Sequence, residues 1–127
     1  MEQYLIDTNA VCHYFSASFS DKGMQFMDMV IDAVPNISVI TQIELLCWKT
    51  DVATEKKVKS FIRDSVILNI SPDIIDYCVS LRRDMKIKTP DAIIASTALD
   101  SGFSLITCNE KDFENVKSLE IINPKQL

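Results

Sequence analysis

Residues 88–107, KTPDAIIASTALDSGFSLIT, predict a helix, a glycine stop and a strand in immediate succession. Thr89 is a good N-cap residue, and Pro90 suits the first helical position. The apolar run behind them extends the helix to the serine before Gly102, and that glycine ends it. The FSLIT that follows is short and apolar, which is typical of a buried strand. A helix that leads directly into a buried strand is the repeating unit of a parallel sheet.

Short apolar strands alternate with helices along the whole chain. The predicted strands cover residues 3–6, 37–40, 65–70, 103–107 and 119–122. The predicted helices cover residues 9–16, 23–34, 53–64 and 90–101, with two more that begin at Thr41 and after Ser71. This alternation predicts a three-layer α/β/α fold with a short, mostly parallel central sheet and helices on both faces. We expect residues 1–127 to form one domain.

The composition predicts a substantial core and a net negative charge. Hydrophobic residues make up 47% of the 127 residues, glycine occurs twice, and the formal net charge is −5. This charge argues against a protein that coats nucleic acid through bulk positive charge, although it allows a local basic strip. No apolar stretch approaches the roughly 20 residues that span a bilayer, and the N-terminus lacks the features of a secretion signal. We therefore expect a cytoplasmic protein without membrane association.

The cysteines and the histidine do not predict a metal site of the zinc type. The four cysteines, at positions 12, 47, 78 and 108, are widely spaced, and His13 is the only histidine. A structural zinc site is therefore not expected. Cys47 and Cys78 fall in apolar helical stretches, which predicts that both are small core residues. His13 stands beside two aromatic residues, which indicates packing.

Acidic and amide side chains follow the predicted strands. Asp7 comes directly after the first strand, Glu44 lies in the first turn after the second, and Asp91 begins the helix before the fourth. Asn109 and Asp112 come just after the fourth strand. Because sites in parallel sheets form outside the carboxyl ends of the strands, these side chains can face one edge.

Each acid also has a purely structural explanation. Asp7 suits an N-cap or an Asx turn, and Glu44 can close a capping box with Thr41. Asp91 is favoured by the helix dipole, and Asp112 suits a surface turn. These explanations do not predict that all four acids share one rim, where a pair 4 Å apart repels by about 4 kcal/mol at an effective dielectric near 20.

A cation can compensate such a cluster. Hard oxygen ligands suit Mg²⁺, with Mn²⁺ as the alternative. Metal held by carboxylates with open positions is suited to phosphodiester hydrolysis. The sequence has no Gly-rich phosphate loop, so it does not predict a nucleotide-binding enzyme.

Four motifs in order resemble the PIN-domain ribonucleases, most closely the VapC-type toxins of toxin–antitoxin pairs. The motifs are YLIDTN at 4–9, TQIELL at 41–46, KTPDAIIAS at 88–96 and LITCNEKDF at 105–113. Their order and separation fit, and the resemblance covers essentially the whole chain. It implies a Mg²⁺-dependent endoribonuclease that acts on RNA, forms a homodimer and is inhibited by an antitoxin. The antitoxin would place a basic or amphipathic segment across the acidic pocket.

The resemblance also implies roles for single residues. Asp7 and Asp91 would be the principal Mg²⁺ ligands, and Glu44 would bind the metal through water or orient the attacking water. Asn9 and Thr107 would form hydrogen bonds within the acidic pocket.

The fourth acidic position stays open between Asn109 and Asp112. Many relatives have aspartate where this chain has Asn109, whose carbonyl oxygen can coordinate but brings no charge. We therefore expect one resident Mg²⁺, with a second ion arriving with RNA.

Two surfaces suggest partners, each with an alternative. A basic strip just before Asp91 could bind phosphate with help from Lys111, or be a solvated helix face; it comprises Arg82, Arg83, Lys86 and Lys88. The helix at 23–34 is rich in Met and Phe, which suits either a homodimer interface or the core.

The alternative function is a non-catalytic PIN-like module that binds RNA or a protein. The presence of Asp7, Glu44 and Asp91 together argues against it, because a site without catalysis has no reason to keep acids that repel one another. Cleavage of labelled RNA with Mn²⁺ would distinguish the two.

Overall fold

The five predicted strands form one parallel sheet. A computed structural model of the chain describes residues 2–127. The strands are β1 (Tyr4–Ile6), β2 (Asn36–Ser38), β3 (Val66–Leu68), β4 (Ser104–Ile106) and β5 (Ile121–Ile122). Their order is β3-β2-β1-β4-β5, and each neighbouring pair is parallel. The predicted parallel sheet is confirmed.

The strand order reverses beside β1. The chain builds outward from β1 to β2 and β3, then crosses back to place β4 on the other side of β1, with Leu5 opposite Leu105. The switch point of the sheet therefore lies between β1 and β4. In sheets of this type, ligands bind in the crevice outside the carboxyl ends of the strands at this point.

Seven helices connect the strands. They are α1 (Thr8–Phe15), α2 (Asp21–Asp32), α3 (Val39–Cys47), α4 (Val52–Asp64), α5 (Pro72–Asp84), α6 (Thr89–Ser101) and α7 (Glu110–Phe113), followed by a 3₁₀ turn at Pro124–Gln126. The predicted helices at 53–64 and 90–101 are confirmed to within one residue at each end. Within residues 2–127, no helix is long and apolar enough to cross a membrane.

The core has two parts, one on each face of the sheet. Successive residues of a strand point to opposite faces, so Leu5 and Leu105 join one hydrophobic cluster while Ile6 and Ile106 join the other. The first cluster contains Ile94, Ala98 and Phe113, and the second contains Val11, Met27, Leu45, Val58 and Phe61. Helices thus cover both faces, which confirms the three-layer α/β/α fold.

The start of α3 corrects the sequence analysis. The helix begins at Val39, and Ser38 is its N-cap, with the Ser38 Oγ accepting a hydrogen bond from the Ile40 N–H at 3.1 Å. Thr41 is fully buried within the helix, so the predicted capping box with Glu44 is wrong. The predicted second strand also ends two residues too late, because a short apolar β-branched run is compatible with either a strand or a buried helix.

The start of α6 differs in a smaller way. Thr89 is already helical, and the N-cap is Lys88, which makes no side-chain capping bond. The Thr89 hydroxyl instead accepts a hydrogen bond from Arg82 at 2.6 Å. Gly102 ends the helix in the left-handed conformation, with φ of 71°, as predicted.

Several predicted core positions lie at the surface. Cys47 is exposed and Cys78 is half-buried, so the prediction that both are core residues is wrong for Cys47. In α2, Met27 is buried but Met29 is 55% exposed. Val34, the last residue of the helix predicted at 23–34, lies beyond the end of α2 and is exposed.

Candidate active site

Asp7 and Thr107 meet at the switch point of the sheet. Asp7 directly follows β1, and its N–H donates to the carbonyl of Ile106 at the end of β4 at 2.9 Å. Both side chains are buried, Asp7 with 4% of its surface exposed. Asp7 is also the N-cap of α1, so the structural explanation of this residue and its place in the crevice are both correct.

Three donors hold the Asp7 carboxylate. Its Oδ1 accepts from the Thr8 N–H at 2.8 Å, and its Oδ2 accepts from the Thr107 hydroxyl and the Asn9 amide, each at 2.8 Å. The Asn9 Oδ1 accepts from the Cys108 N–H at 2.8 Å. Because Asn9 belongs to α1 and Cys108 follows β4, this network joins both sides of the crevice and fixes the direction of the carboxylate.

Burial makes the ionised form of Asp7 unfavourable. The pKa of Asp7 is raised from 3.8 to about 6, chiefly by burial and to a smaller extent by the negative charge of Asp91, although the hydrogen bonds from Thr107, Thr8 and Asn9 lower it. Desolvation disfavours the charged form of a carboxyl, whereas hydrogen bonds to the carboxylate favour it. A carboxyl group in this environment is strongly stabilised in its ionised form by a nearby cation.

Glu44 lies across the crevice on α3, bound to α1. The Thr8 hydroxyl donates to Glu44 Oε1 at 2.6 Å, and the same hydroxyl lies 3.1 Å from Thr41 Oγ1. Thr41 is buried but Glu44 is exposed, so its carboxylate remains open to water or to an ion. The sequence analysis missed Thr8 and mistook Thr41 for a capping residue; the only local signal was the threonine inside the DTN motif.

Asp91 is coupled to all three other acids. Burial raises its pKa first, and the charges of Asp112 and Glu44 raise it further, while the Lys88 ammonium lowers it. Its own charge raises the pKa of Asp7. Because charge interactions weaken with distance, these effects indicate that the fold brings the four acids to one rim. We call these four residues the acidic rim.

The two candidates for the fourth acidic position, Asp112 and Asn109, are placed differently. Asp112 lies in α7 and lines the same concavity as Asp91. Asn109 is the N-cap residue of α7, its side chain makes no capping bond, and its backbone N–H donates to Thr107 Oγ1 at 3.1 Å. This favours Asp112 as the fourth acid.

The donors of the acidic rim suit a hard divalent cation. They are carboxylate oxygens, the ligands that Mg²⁺ and Mn²⁺ prefer. Among residues 2–127, no three acidic, histidine or cysteine side chains are already grouped as metal ligands. Holding an ion therefore requires side-chain movement, which the exposed positions of Glu44 and Asp112 allow. The donor chemistry fits the ion, whose charge would offset both the burial and the smaller repulsion between acids that raise the pKa values of Asp7 and Asp91.

His13 lies apart from this chemistry. Its ring packs against Phe19 with ring centroids 6.0 Å apart. Burial and the nearby Lys125 lower the pKa of His13. The predicted packing role is therefore the one that the structure shows.

Fold and site together define a parallel α/β protein with a carboxylate-rich site at its switch point. Residues 4–119 match the family described as PIN domain, and this match covers most of the chain. The chain therefore belongs to the PIN-domain family, and the resemblance carried by the four motifs is confirmed.

Solved structures share the fold over nearly the whole chain. A chain of a toxin–antitoxin complex from Klebsiella pneumoniae is 32% identical, with a TM-score of 0.74 and with 96% of this chain and 98% of that chain covered. A chain of the DNA-bound VapBC from Salmonella typhimurium is 20% identical, with a TM-score of 0.80 and with 98% of this chain and 99% of that chain covered. The second likeness shows the fold alone.

One curated relative matches over a shorter segment. Ribonuclease VapC1 from Rickettsia felis is 42% identical over 41 residues, which are 32% of this chain and 31% of that protein. The match therefore spans about a third of the relative's length.

Proposed function

We propose that this protein is a divalent-metal-dependent endoribonuclease and the toxin of a toxin–antitoxin pair. The observation that carries the proposal is the placement of four acids around the switch point. Asp7 is held there by Thr107, Glu44 by Thr8, and Asp91 and Asp112 line one concavity. A cation compensates such a cluster, and a cation held by carboxylates is suited to phosphodiester hydrolysis. Membership of the PIN-domain family and the names of the relatives support RNA as the substrate.

Mg²⁺ is the proposed cofactor, and Mn²⁺ can replace it. Asp7, Asp91 and Asp112 would hold the ion directly, and Glu44 would hold it through water. When bound, the ion lowers the pKa of water and stabilises negative charge on the phosphate. We retain one resident ion as the expected state, with a second arriving with RNA.

The side chains of the site have separate tasks. The Thr8 hydroxyl fixes Glu44 Oε1 at 2.6 Å, which leaves the second oxygen free to accept a proton from the attacking water. Asn9 and Thr107 hold Oδ2 of Asp7, so that its carboxylate cannot rotate away from the crevice. Positioning by such hydrogen bonds lowers the cost of reaching the reactive geometry.

The proposed partners are an antitoxin and a second copy of this chain. An antitoxin with a basic or amphipathic segment would cover the acidic rim, since a basic side chain there pairs with carboxylates that otherwise repel one another.

For the homodimer, exposed apolar side chains favour α3 and α5 over α2. Ile43 and Leu46 on α3 are 53% and 55% exposed, and Ile75 and Val79 on α5 are 52% and 50% exposed. Within each helix the two residues are three or four positions apart and share a face. Most of the apolar side chains of α2, such as Met27, pack into the core instead. Exposed apolar surface of this kind marks interaction sites.

Light scattering tests the homodimer. At tens of micromolar the wild type should have the mass of a dimer, and the double variant Ile75→Lys/Val79→Lys should shift towards a monomer. Val52→Lys, at a 70% exposed position of α4, is the control and should leave the mass unchanged. A monomeric wild type would exclude the homodimer.

An RNA cleavage assay tests the catalytic proposal. With Mg²⁺ or Mn²⁺, Asp7→Asn, Glu44→Gln and Asp91→Asn should each lower cleavage by at least about 100-fold, because the groups act as a unit around one ion. Asp100→Asn is the matched control, since Asp100 is an exposed acid on the same helix as Asp91. Full activity of a folded Asp91→Asn variant would contradict the assignment.

The second candidate function, a non-catalytic module, has its own expected outcome. If this function is correct, the wild type binds labelled RNA or a protein partner, and it cleaves no RNA with any divalent cation. The intact acidic rim favours the catalytic proposal.

A further inference from the structure

A basic concavity adjoins the acidic rim. It has a volume of about 570 Å³ and lies between α7 and the segment that joins α5 to α6. Asp91 and Asp112 of the acidic rim line it. Four cationic residues line it as well: Arg82, Lys86, Lys88 and Lys111. We call this feature the basic concavity.

The fold selects these cations from two separate segments. Lys111 comes from α7 and joins the strip that begins in the last turn of α5, whereas Arg83 of that strip does not line the concavity. The Arg82 guanidinium donates to the Thr89 hydroxyl at 2.6 Å, which holds it near the start of α6. Lys88 lowers the pKa of Asp91, which places its ammonium near that carboxylate.

The charge pattern favours a phosphodiester ligand over an acidic peptide. Four cations surround two carboxylates, so the concavity keeps an excess of positive charge beside the acidic rim. Peptide carboxylates in the concavity would be repelled by Asp91 and Asp112, which line it. A nucleic-acid backbone carries one charge per nucleotide, and the cation proposed for the rim neutralises that charge where the backbone enters it.

The remaining lining suits one nucleotide. Met85 and Ile87 are half-buried apolar side chains that can cover a ribose or a base face, and the Asn115 amide offers a donor and an acceptor. Pockets for small ligands have volumes of roughly 300–1,000 Å³, a range that includes this one.

We propose that the basic concavity binds the single-stranded RNA nucleotide adjacent to the bond that is cleaved, with Lys86, Lys88 and Lys111 holding its phosphate. The proposal rests on the ribonuclease function proposed above. It assigns to these cations a role in substrate binding, separate from the chemistry at the acidic rim.

Salt-dependent RNA binding tests the proposal without cleavage. A short labelled single-stranded RNA is titrated at low salt with Ca²⁺ in place of Mg²⁺, so that a divalent cation can occupy the acidic rim. Its anisotropy is followed at several salt concentrations, and a gel checks that the RNA stays intact. Each phosphate contact on a single strand adds about 0.7 to the slope of log K against log salt. Because one phosphate is held there, Lys86→Ala/Lys111→Ala should lower the slope by up to about 0.7 and weaken binding at low salt.

Matched variants separate a specific contact from net charge. Lys22→Ala/Lys59→Ala removes the same two charges from exposed positions of α2 and α4, and it should keep the wild-type slope. Lys86→Arg/Lys111→Arg should retain most of the binding. Equal slopes for the two alanine variants, or a wild type without salt-dependent binding, would overturn the proposal.

Two further measurements give separable outcomes. A poly-glutamate peptide that displaces the RNA from the wild type, but not from Lys86→Ala/Lys111→Ala, would show that an acidic peptide occupies the concavity and would refute the RNA assignment. Cleavage by the wild type together with an unchanged slope in Lys86→Ala/Lys111→Ala would refute only the basic concavity. A reduced slope without any cleavage by the wild type would refute only the nuclease.

Discussion

Replacing Asp7 with asparagine should abolish the part of the pH dependence of stability that comes from the titration of the Asp7 carboxyl. Asp7 is 4% exposed, and burial raises its pKa from 3.8 to about 6 in the folded chain. The unfolded chain exposes the same group to water, where its pKa is ordinary. The folded protein therefore binds this proton more tightly than the unfolded chain, and the resulting stability is fully present below about pH 4 and is lost as the pH rises through about 6.

The pKa shift sets the size of the loss. The change from 3.8 to about 6 is roughly two pKa units, and each unit corresponds to about 1.4 kcal/mol. The free energy of unfolding of the wild type should thus fall by about 3 kcal/mol between about pH 4 and pH 7 through this group. For a domain of this size, that is roughly 10 °C in Tm.

Asparagine removes the titration and adds a constant cost. Its amide cannot ionise, so the pH-dependent loss disappears. The amide nitrogen also replaces an oxygen that accepts from Thr107 and Asn9, which costs about 1–3 kcal/mol at every pH. The difference between wild type and variant should therefore move in favour of the variant by about 3 kcal/mol as the pH rises.

Urea denaturation in EDTA, followed by circular dichroism across this pH range, measures that difference. Asp100→Asn neutralises an exposed acid and should run parallel to the wild type. If Asp7→Asn also runs parallel, Asp7 carries no burial penalty and the reasoning is wrong.

Added Mg²⁺ should stabilise the wild type more than Asp7→Asn. At a hundred times its dissociation constant, a ligand of the folded state stabilises it by about 2.7 kcal/mol. The wild type should gain this amount at pH 7, and Asp7→Asn should gain much less. Equal gains would show that Asp7 is a capping residue and not a metal ligand.

Three further predictions concern single side chains. Gly23→Ala should lower the free energy of unfolding by about 1–3 kcal/mol in urea, since a Cβ would lie 2.6 Å from a carbonyl oxygen of the C-terminal turn. Thr8→Val should lower RNA cleavage about 10-fold with little change in Tm, because Glu44 loses the donor that orients it. Asp112→Asn should lower cleavage more than Asn109→Ala, since the charge of Asp112 acts on the acidic rim; the opposite order would assign the fourth position to Asn109.

Much of the fold follows from local patterns. Ser71 caps α5 through the Ile74 N–H, and Gly102 ends α6 with positive φ, both as predicted. The error at α3 arose where two helix starts compete within four residues: Ser38 caps the helix, and Thr41 is buried in it. Local sequence does not show which hydroxyl faces a free N–H and which faces the core.

The candidate site was predicted in its residues but not in its contacts. Asp7, Glu44 and Asp91 were placed near one sheet edge because parallel strands end at the same edge. The partner of Glu44 was missed, since the Thr8 hydroxyl that binds it lies 36 positions away along the chain. The sequence left the helix at 23–34 open between a homodimer interface and the core, and the structure shows that most apolar side chains of α2 pack into the core.

The sequence by itself determined the alternation of strands and helices and the strand ends at which acids occur, because hydrophobic period, caps and glycine stops act between residues a few positions apart. The tertiary structure alone decided that Cys47 is exposed, that Thr8 binds Glu44, and that Arg83 does not line the basic concavity. These properties depend on how the helices pack across the sheet, and packing joins residues that no local pattern relates.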